Sequence, residues 1–280
     1  MKAYAKVNVG LDVTGKTDNG YHLLKSVMQQ IDLFDEIEMD KISEDRIILE
    51  CNNANLPCDE HNLAYKAALS MKEKYAIKSG VKIYLKKMIP IAAGMAGGST
   101  DAAAVIKGMN ELFDLKLSFE DMKKIGVKLG ADIPFCLLGG CALAEGIGEK
   151  LTAVKSSPEM YFLIAKPLLD ISTKYVYTHL QLNEVNHPDM DGVLKGYADN
   201  NVDMIVSSMG NVLESVTASE NAIINELKAA INKLGADGVL MSGSGPTVFG
   251  IFKDFEKAKE AEESLKRDYS DIFIKAVKRV

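Results

Sequence analysis

The sequence has 280 residues, 47% hydrophobic and 26% charged, with a formal net charge of -6. That length supports two domains with a sizeable core, and the composition is that of a globular chain rather than a disordered one. Acidic and basic residues are interspersed, which argues against a general nucleic-acid binder but leaves room for an anionic substrate held by local positive charge.

No apolar run is long enough to cross a bilayer, and Met1–Tyr4 leads into a strand pattern without the apolar stretch of a signal peptide. A cytoplasmic protein with no membrane partner is expected. Cys51, Cys58, Cys136 and Cys141 form no CxxC pair, and His61, His179 and His187 have no metal-ligand spacing, so reduced structural thiols are expected.

In chain order, the first element alternates. Ala3, Ala5, Val7, Val9, Leu11 and Val13 line one face of a strand, and Tyr4, Lys6, Asn8, Gly10 and Asp12 the other. Thr17–Gly20 reads as an Asn-Gly turn. Strands are predicted at Glu36–Met39, Arg46–Glu50 and Val81–Leu85, with a helix capped by Asn62 between the last two. A helix over about Thr100–Phe113 follows, then one from Ser118 with Asp121 at capping-box spacing and Gly130 as its stop. Composition shifts at Lys155–Pro158, which divides the chain into domains at 1–155 and 159–280. Beyond it come a strand at Tyr161–Ala165 and a helix near Thr217, with Glu220 completing a capping box, Ile223, Leu227 and Ile231 as its stripe and Gly235 as its stop. Strands at Val239–Met241 and Thr247–Phe252, a charged helix from Phe255 and a strand near Ile272–Val277 complete an α/β layer. The polar segment Asn183–Asn201 has no assignment.

The stretch Pro90-Ile91-Ala92-Ala93-Gly94-Met95-Ala96-Gly97-Gly98-Ser99-Thr100 packs small residues directly before a helix. Small residues let backbone N–H groups converge on an anion, and the helix N-terminus adds unpaired donors. Neither the GxxxxGK[ST] nor the GxGxxG spacing is present, which excludes a Walker loop and a dinucleotide fingerprint. A tight strand-to-helix connection without a ligand is the competing reading. Asp101 would repel a phosphate there unless Mg²⁺ lies between them.

Pro90–Ala103 resembles the second motif of the GHMP kinases, the family of galactokinase, homoserine kinase and mevalonate kinase. Three further stretches narrow the resemblance to the branch acting on 4-diphosphocytidyl-2-C-methyl-D-erythritol. They are Ala5-Lys6-Val7-Asn8 with Asn19-Gly20-Tyr21-His22, Gly130–Phe135 with Ala144–Glu149, and Met241-Ser242-Gly243-Ser244-Gly245. The four lie in the family's order from Ala5 to about Phe249.

The resemblance implies a two-domain GHMP kinase fold of the α/β (α+β) class. The N-terminal domain would be like domain 2 of ribosomal protein S5, and the C-terminal domain ferredoxin-like. It implies transfer of the γ-phosphate of ATP, with Mg²⁺, to the 2-hydroxyl of that substrate in the non-mevalonate isoprenoid pathway. Two departures stand out: Ala92, Ala93 and Ala96 replace glycines of the family's loop, and Asp101 often has an uncharged counterpart.

By resemblance Lys6 is the catalytic lysine and Asp132 the general base, which requires the two to approach each other. Residues 90–100 would cradle ATP, with Asn62 and Lys87 near the adenine and the ATP site. Asn8, Tyr21, His22 and Tyr177 would bind the substrate, the last three around the cytosine. Gly243 and Ser244 would lie near the reacting groups. Each role has a plain competitor: a solvated strand lysine at Lys6, a turn or cap at Asp132, a surface pair at Tyr21 and His22, a core tyrosine at Tyr177, a helix cap at Asn62, a solvated strand end at Lys87 and a tight turn at 243–245.

Other GHMP kinases, for homoserine or mevalonate, stay open, and so does an RNA-binding module, because a ribosomal domain shares half the fold. The acidic charge, the intact loop and the Lys6/Asp132 pair disfavour RNA, so no nucleic-acid partner is expected. A monomer or homodimer is.

Overall fold

The first strand, β1 (Lys2–Lys16), alternates as its sequence predicts, with Ala3 to Val13 on a buried face. Its opposite face is buried too. Lys6, Asn8 and Asp12 are 4%, 3% and 8% exposed, so Lys6 is not a solvated strand lysine. This computed structural model describes residues 1–17, 20–155 and 158–280. The Asn-Gly turn and the boundary at 155–158 therefore lie partly outside the described residues.

The chain forms two compact units that are discontinuous in sequence. Met1–Ala5, Leu33–Ile91 and Ala96–Gly139 make the first, and Lys6–Asp32, Ala92–Met95 and Gly140–Val280 the second. In the first unit, β4 (Gly80–Lys86) pairs in parallel with β3 (Ile47–Cys51) and antiparallel with the later part of β2 (His22–Ile42). Helices α1 (Leu63–Lys74), α2 (Gly97–Leu112), α3 (Phe119–Leu129) and α4 (Ile133–Leu138) pack on one another. Asn62 caps α1 by accepting from Ala64 N at 2.9 Å, and Ser118 caps α3 through Asp121 N at 3.2 Å. Both caps were legible in the sequence. α2 begins at Gly97, three residues before the expected Thr100, because the glycine loop itself winds into its first turn.

In the second unit the early part of β2 pairs with β5 (Cys141–Gly146), which pairs with β6 (Lys150–Ala153). A separate antiparallel sheet has the order β10-β7-β9-β8, from β7 (Tyr161–Lys166), β8 (Gly238–Met241), β9 (Val248–Phe252) and β10 (Phe273–Lys278). That order, with helices after β7 and after β9, is the expected ferredoxin-like arrangement. The first crossover carries α5 (Thr173–His179), α6 (Met190–Ala198), α7 (Val202–Ser208), α8 (Glu214–Glu220) and α9 (Ala222–Lys233), and the second α10 (Phe255–Asp268).

The expected helix start at Thr217 is corrected. Thr217 lies inside α8, 1% exposed, and its hydroxyl donates to Ser244 O at 3.0 Å. A capping-box spacing marks a start only where the preceding chain is non-helical, and here α8 already runs through it. Ile224, rather than Ile223, joins Leu227 and Ile231 in the buried stripe of α9. Gly235 follows that helix with φ +90°, in the left-handed region expected of a stop.

Candidate active site

Three distant stretches meet in the second unit. Lys6 Nζ donates to Asn8 Oδ1 at 2.5 Å and to Gly94 O at 3.3 Å. Ser242 Oγ donates to the same Gly94 oxygen at 2.9 Å and accepts from Asn8 N at 3.3 Å. Asn8 Nδ2 donates to Ser26 Oγ at 2.8 Å, and Ser26 Oγ donates to Gly10 O at 2.7 Å. A buried ammonium is thus fixed by oxygen acceptors instead of hydrating freely.

The turn after β8 is held just as firmly. Asn211 Nδ2 donates to Met241 O and Gly243 O, each at 2.8 Å, and the hydroxyls of Ser244 and Thr173 lie 2.9 Å apart. Gly94 admits no other residue: its φ is +68°, and an added Cβ would lie 2.3 Å from Ser242 O.

Along the glycine loop, Ala93 and Met95 are buried while Ile91 is exposed, so alternate residues anchor it. Ala92 and Ala96 hold left-handed φ of 51° and 57°, a strained state for alanine. Ala96 stands at the N-cap of α2 and provides no side-chain cap, so the capping residue does not compete for the helix's leading N–H groups. Thr100 is 2% exposed and faces inward, whereas Ser99 stays partly accessible. A Cβ on Gly130 would lie 3.8 Å from Ser99 Oγ, which brings the stretch leading to Asp132 beside the start of α2. Asp132 occupies the N-cap position of α4, yet its side chain makes no cap bond.

Lys87 is not a solvated strand end. Its side chain is 5% exposed, and Nζ bridges Asp35 Oδ2 at 2.5 Å and Asp101 Oδ2 at 2.7 Å. Asp101 therefore has a cation of the chain itself beside it, where the sequence offered only Mg²⁺. Asp35 Oδ1 accepts from Met88 N at 2.5 Å and Ile89 N at 2.8 Å, while Asp101 Oδ1 is buried without a partner.

Burial is the main cause that pushes the Asp101 carboxyl up to about 7; Lys87 opposes the shift and Asp35 adds to it. Burial alone would lower Lys87, but Asp101 and Asp35 together hold its ammonium above the ordinary value. A Cβ on Gly97 would lie 3.0 Å from Lys87 Nζ, so this cluster sits directly beneath the first residue of α2.

The other expected residues divide. His22 and Tyr177 are in contact, with ring centroids 5.0 Å apart and planes tilted by 42°, so they form one surface and leave no slot between them. His22 Nε2 is buried without a partner, and burial, then the charge of Lys16, lowers its pKa. Tyr21 is 61% exposed. Asn62, besides capping α1, donates to Pro57 O at 2.8 Å and so fixes the loop before it. Sequence reasoning missed Asp35, Ser26, Asn211 and Thr173. Only Asp35 carried a signal, as a charge in register with Leu33 and Ile37 on the inward face of β2.

Residues 62–140 match the family described as GHMP kinases N terminal domain, and residues 189–271 match GHMP kinases C terminal. A 4-diphosphocytidyl-2-C-methyl-D-erythritol kinase of Clostridium botulinum is 49% identical over 275 residues, covering 98% of each chain. One from Clostridium beijerinckii is 47% identical with the same coverage. A crystal structure of 4-(cytidine 5'-diphospho)-2C-methyl-D-erythritol kinase superposes with a TM-score of 0.84 at 30% identity, covering 99% of this chain and 98% of that one. A homoserine kinase from Cytophaga hutchinsonii, at 22% identity and a TM-score of 0.78, shares the fold. With both family domains present and near half of its residues shared with full-length relatives, the chain belongs to the GHMP kinases, in the branch of the 4-diphosphocytidyl-2-C-methyl-D-erythritol kinases.

Proposed function

We propose that this protein transfers the γ-phosphate of ATP to the 2-hydroxyl of 4-diphosphocytidyl-2-C-methyl-D-erythritol, in the cytoplasm, within the non-mevalonate route to isoprenoid precursors. The observation that carries this reading is the convergence of Lys6, Asn8, Gly94 and Ser242, contributed by three separated stretches, on one hydrogen-bonded cluster. A purely structural connection has no need of a buried lysine there.

ATP fits the loop on two grounds. The first turn of α2 has no side-chain cap, and Gly97 and Gly98 leave the backbone open to a phosphate. Mg²⁺ enters this reading with ATP, where it neutralises phosphate charge.

In this reading Asp132 accepts the proton of the attacking hydroxyl, and Lys6 steadies the reacting groups by its charge. Residues 90–100 position the phosphates, and Asn62 and Lys87 order the nucleotide side of the site. Asn8, Gly243 and Ser244 shape the acceptor side. His22, with its unpartnered Nε2, meets the cytosine edge, and the His22–Tyr177 surface and exposed Tyr21 pack against the base. We further place the two functional domains at 1–155 and 159–280, working as a monomer or homodimer.

The test is ADP release with 4-diphosphocytidyl-2-C-methyl-D-erythritol, mevalonate and homoserine as acceptors. Turnover confined to the first supports the proposal, and preference for either of the others overturns it.

A further inference from the structure

The Asp35–Lys87–Asp101 cluster holds two carboxylates against one ammonium, all nearly removed from solvent. With both acids ionised it carries a net negative charge directly under the helix start proposed to receive phosphate. Asp35 has both oxygens committed, Oδ2 to Lys87 and Oδ1 to two backbone N–H groups. Asp101 commits Oδ2 to Lys87 and leaves Oδ1 with no partner. A buried carboxylate oxygen without a donor is costly, and a proton on it removes the cost. The charged groups that act on Asp101 are Lys87, from the end of β4, and Asp35, from β2.

We propose that Asp101 is a positioning residue for the phosphate-binding turn, acting through Lys87, and that its protonated form is favoured when nucleotide phosphates seat at the start of α2. The proton comes from solvent and binds Oδ1. It cancels the excess negative charge and leaves Lys87 paired with Asp35, its positive field directed at the turn. Asp101 already binds a proton near neutrality, at about pH 7, because of its burial, so an approaching anion need raise its affinity only slightly. The inference rests on the reading of residues 90–100 as the nucleotide site.

The test is calorimetry of ATP binding, with saturating Mg²⁺ and no acceptor, in buffers of different ionisation enthalpy across pH 6.5–8.5. Wild type should take up about half a proton near pH 7.5, with affinity rising up to about tenfold as pH falls, for a carboxyl raised by about one pKa unit on binding. Asp101→Asn, which keeps the shape, should show neither effect, while Asp132→Asn should keep both. An infrared difference spectrum of the wild type should gain a protonated-carboxyl band on nucleotide addition, which decides the matter even if Asp101→Asn fails to fold. Binding without proton uptake, uptake unchanged in Asp101→Asn, or no new carboxyl band overturns this inference alone. Absence of nucleotide binding overturns it together with the phosphate-loop reading.

Discussion

Lys6 and Asp132 bear the chemistry in this account, and each can be altered with little change of shape. Asp132→Asn removes the proton acceptor, and Lys6→Met removes the charge that Asn8 and Gly94 now hold. Each should bind ATP nearly normally and lose on the order of 10²–10⁴ in single-turnover rate, with the double variant little worse than either. Near-normal turnover in Asp132→Asn would remove it as the base.

Asp101 adds a stability prediction. Its folded pKa, about 7, is raised above 3.8, so its contribution is fully present below about pH 4 and is lost as pH rises through 7. Thermal melts should therefore show Asp101→Asn gaining on wild type between pH 5 and 8, by on the order of 1–4 kcal/mol. A constant difference would contradict the raised pKa. Asp101 lies in an alanine-rich helical run, where nothing local announces a burial partner. Lys87 and Asp35 reach it only through tertiary packing, which is why a sequence reading left its charge unexplained.

At the scale of elements, the glycine loop shows how far local rules carry. Small residues before a helix announced the loop, but not that alanine would occupy its left-handed positions. Because Ala96 is held at φ 57°, Ala96→Gly should relieve strain. The melting temperature should stay level or rise by about 1–3 °C, with ATP affinity retained. A large loss of stability would contradict the conformation. Gly97→Val should weaken ATP binding severely, because even a Cβ would lie 3.0 Å from Lys87 Nζ and 3.2 Å from Ile89 Cγ2. Calorimetry on the folded variant checks this, and unchanged affinity would move the nucleotide elsewhere.

The caps at Asn62 and Ser118 were legible because a cap is decided within a few residues. The split of α8 from α9 was not, since both segments carry helical periodicity and Asn221 breaks them only by its extended backbone. β2 runs to 21 residues where a short strand was expected, because separate stretches of it pair with β5 and β4.

At the scale of the whole molecule, a net charge of -6 has to coexist with two phosphorylated substrates. The account meets this locally, with Lys6 buried in one unit, Lys87 in the other, and helix N–H groups in place of a basic surface. The four motifs predicted the family, while the interleaving of segments in the two compact units is marked by no composition shift.

Selectivity between cytosine and uracil is the most direct test of the central claim, because the acceptors homoserine, mevalonate and galactose carry no base. The measurement is single-turnover transfer of labelled phosphate from ATP to 4-diphosphocytidyl-2-C-methyl-D-erythritol and to its uridine analogue, with the product's phosphate position read by NMR. The account predicts label on the 2-hydroxyl, with the uridine analogue slower by about 10²–10⁴, since buried polar groups around His22 would be left mismatched. Equal rates for the two, or no transfer to either, would contradict it.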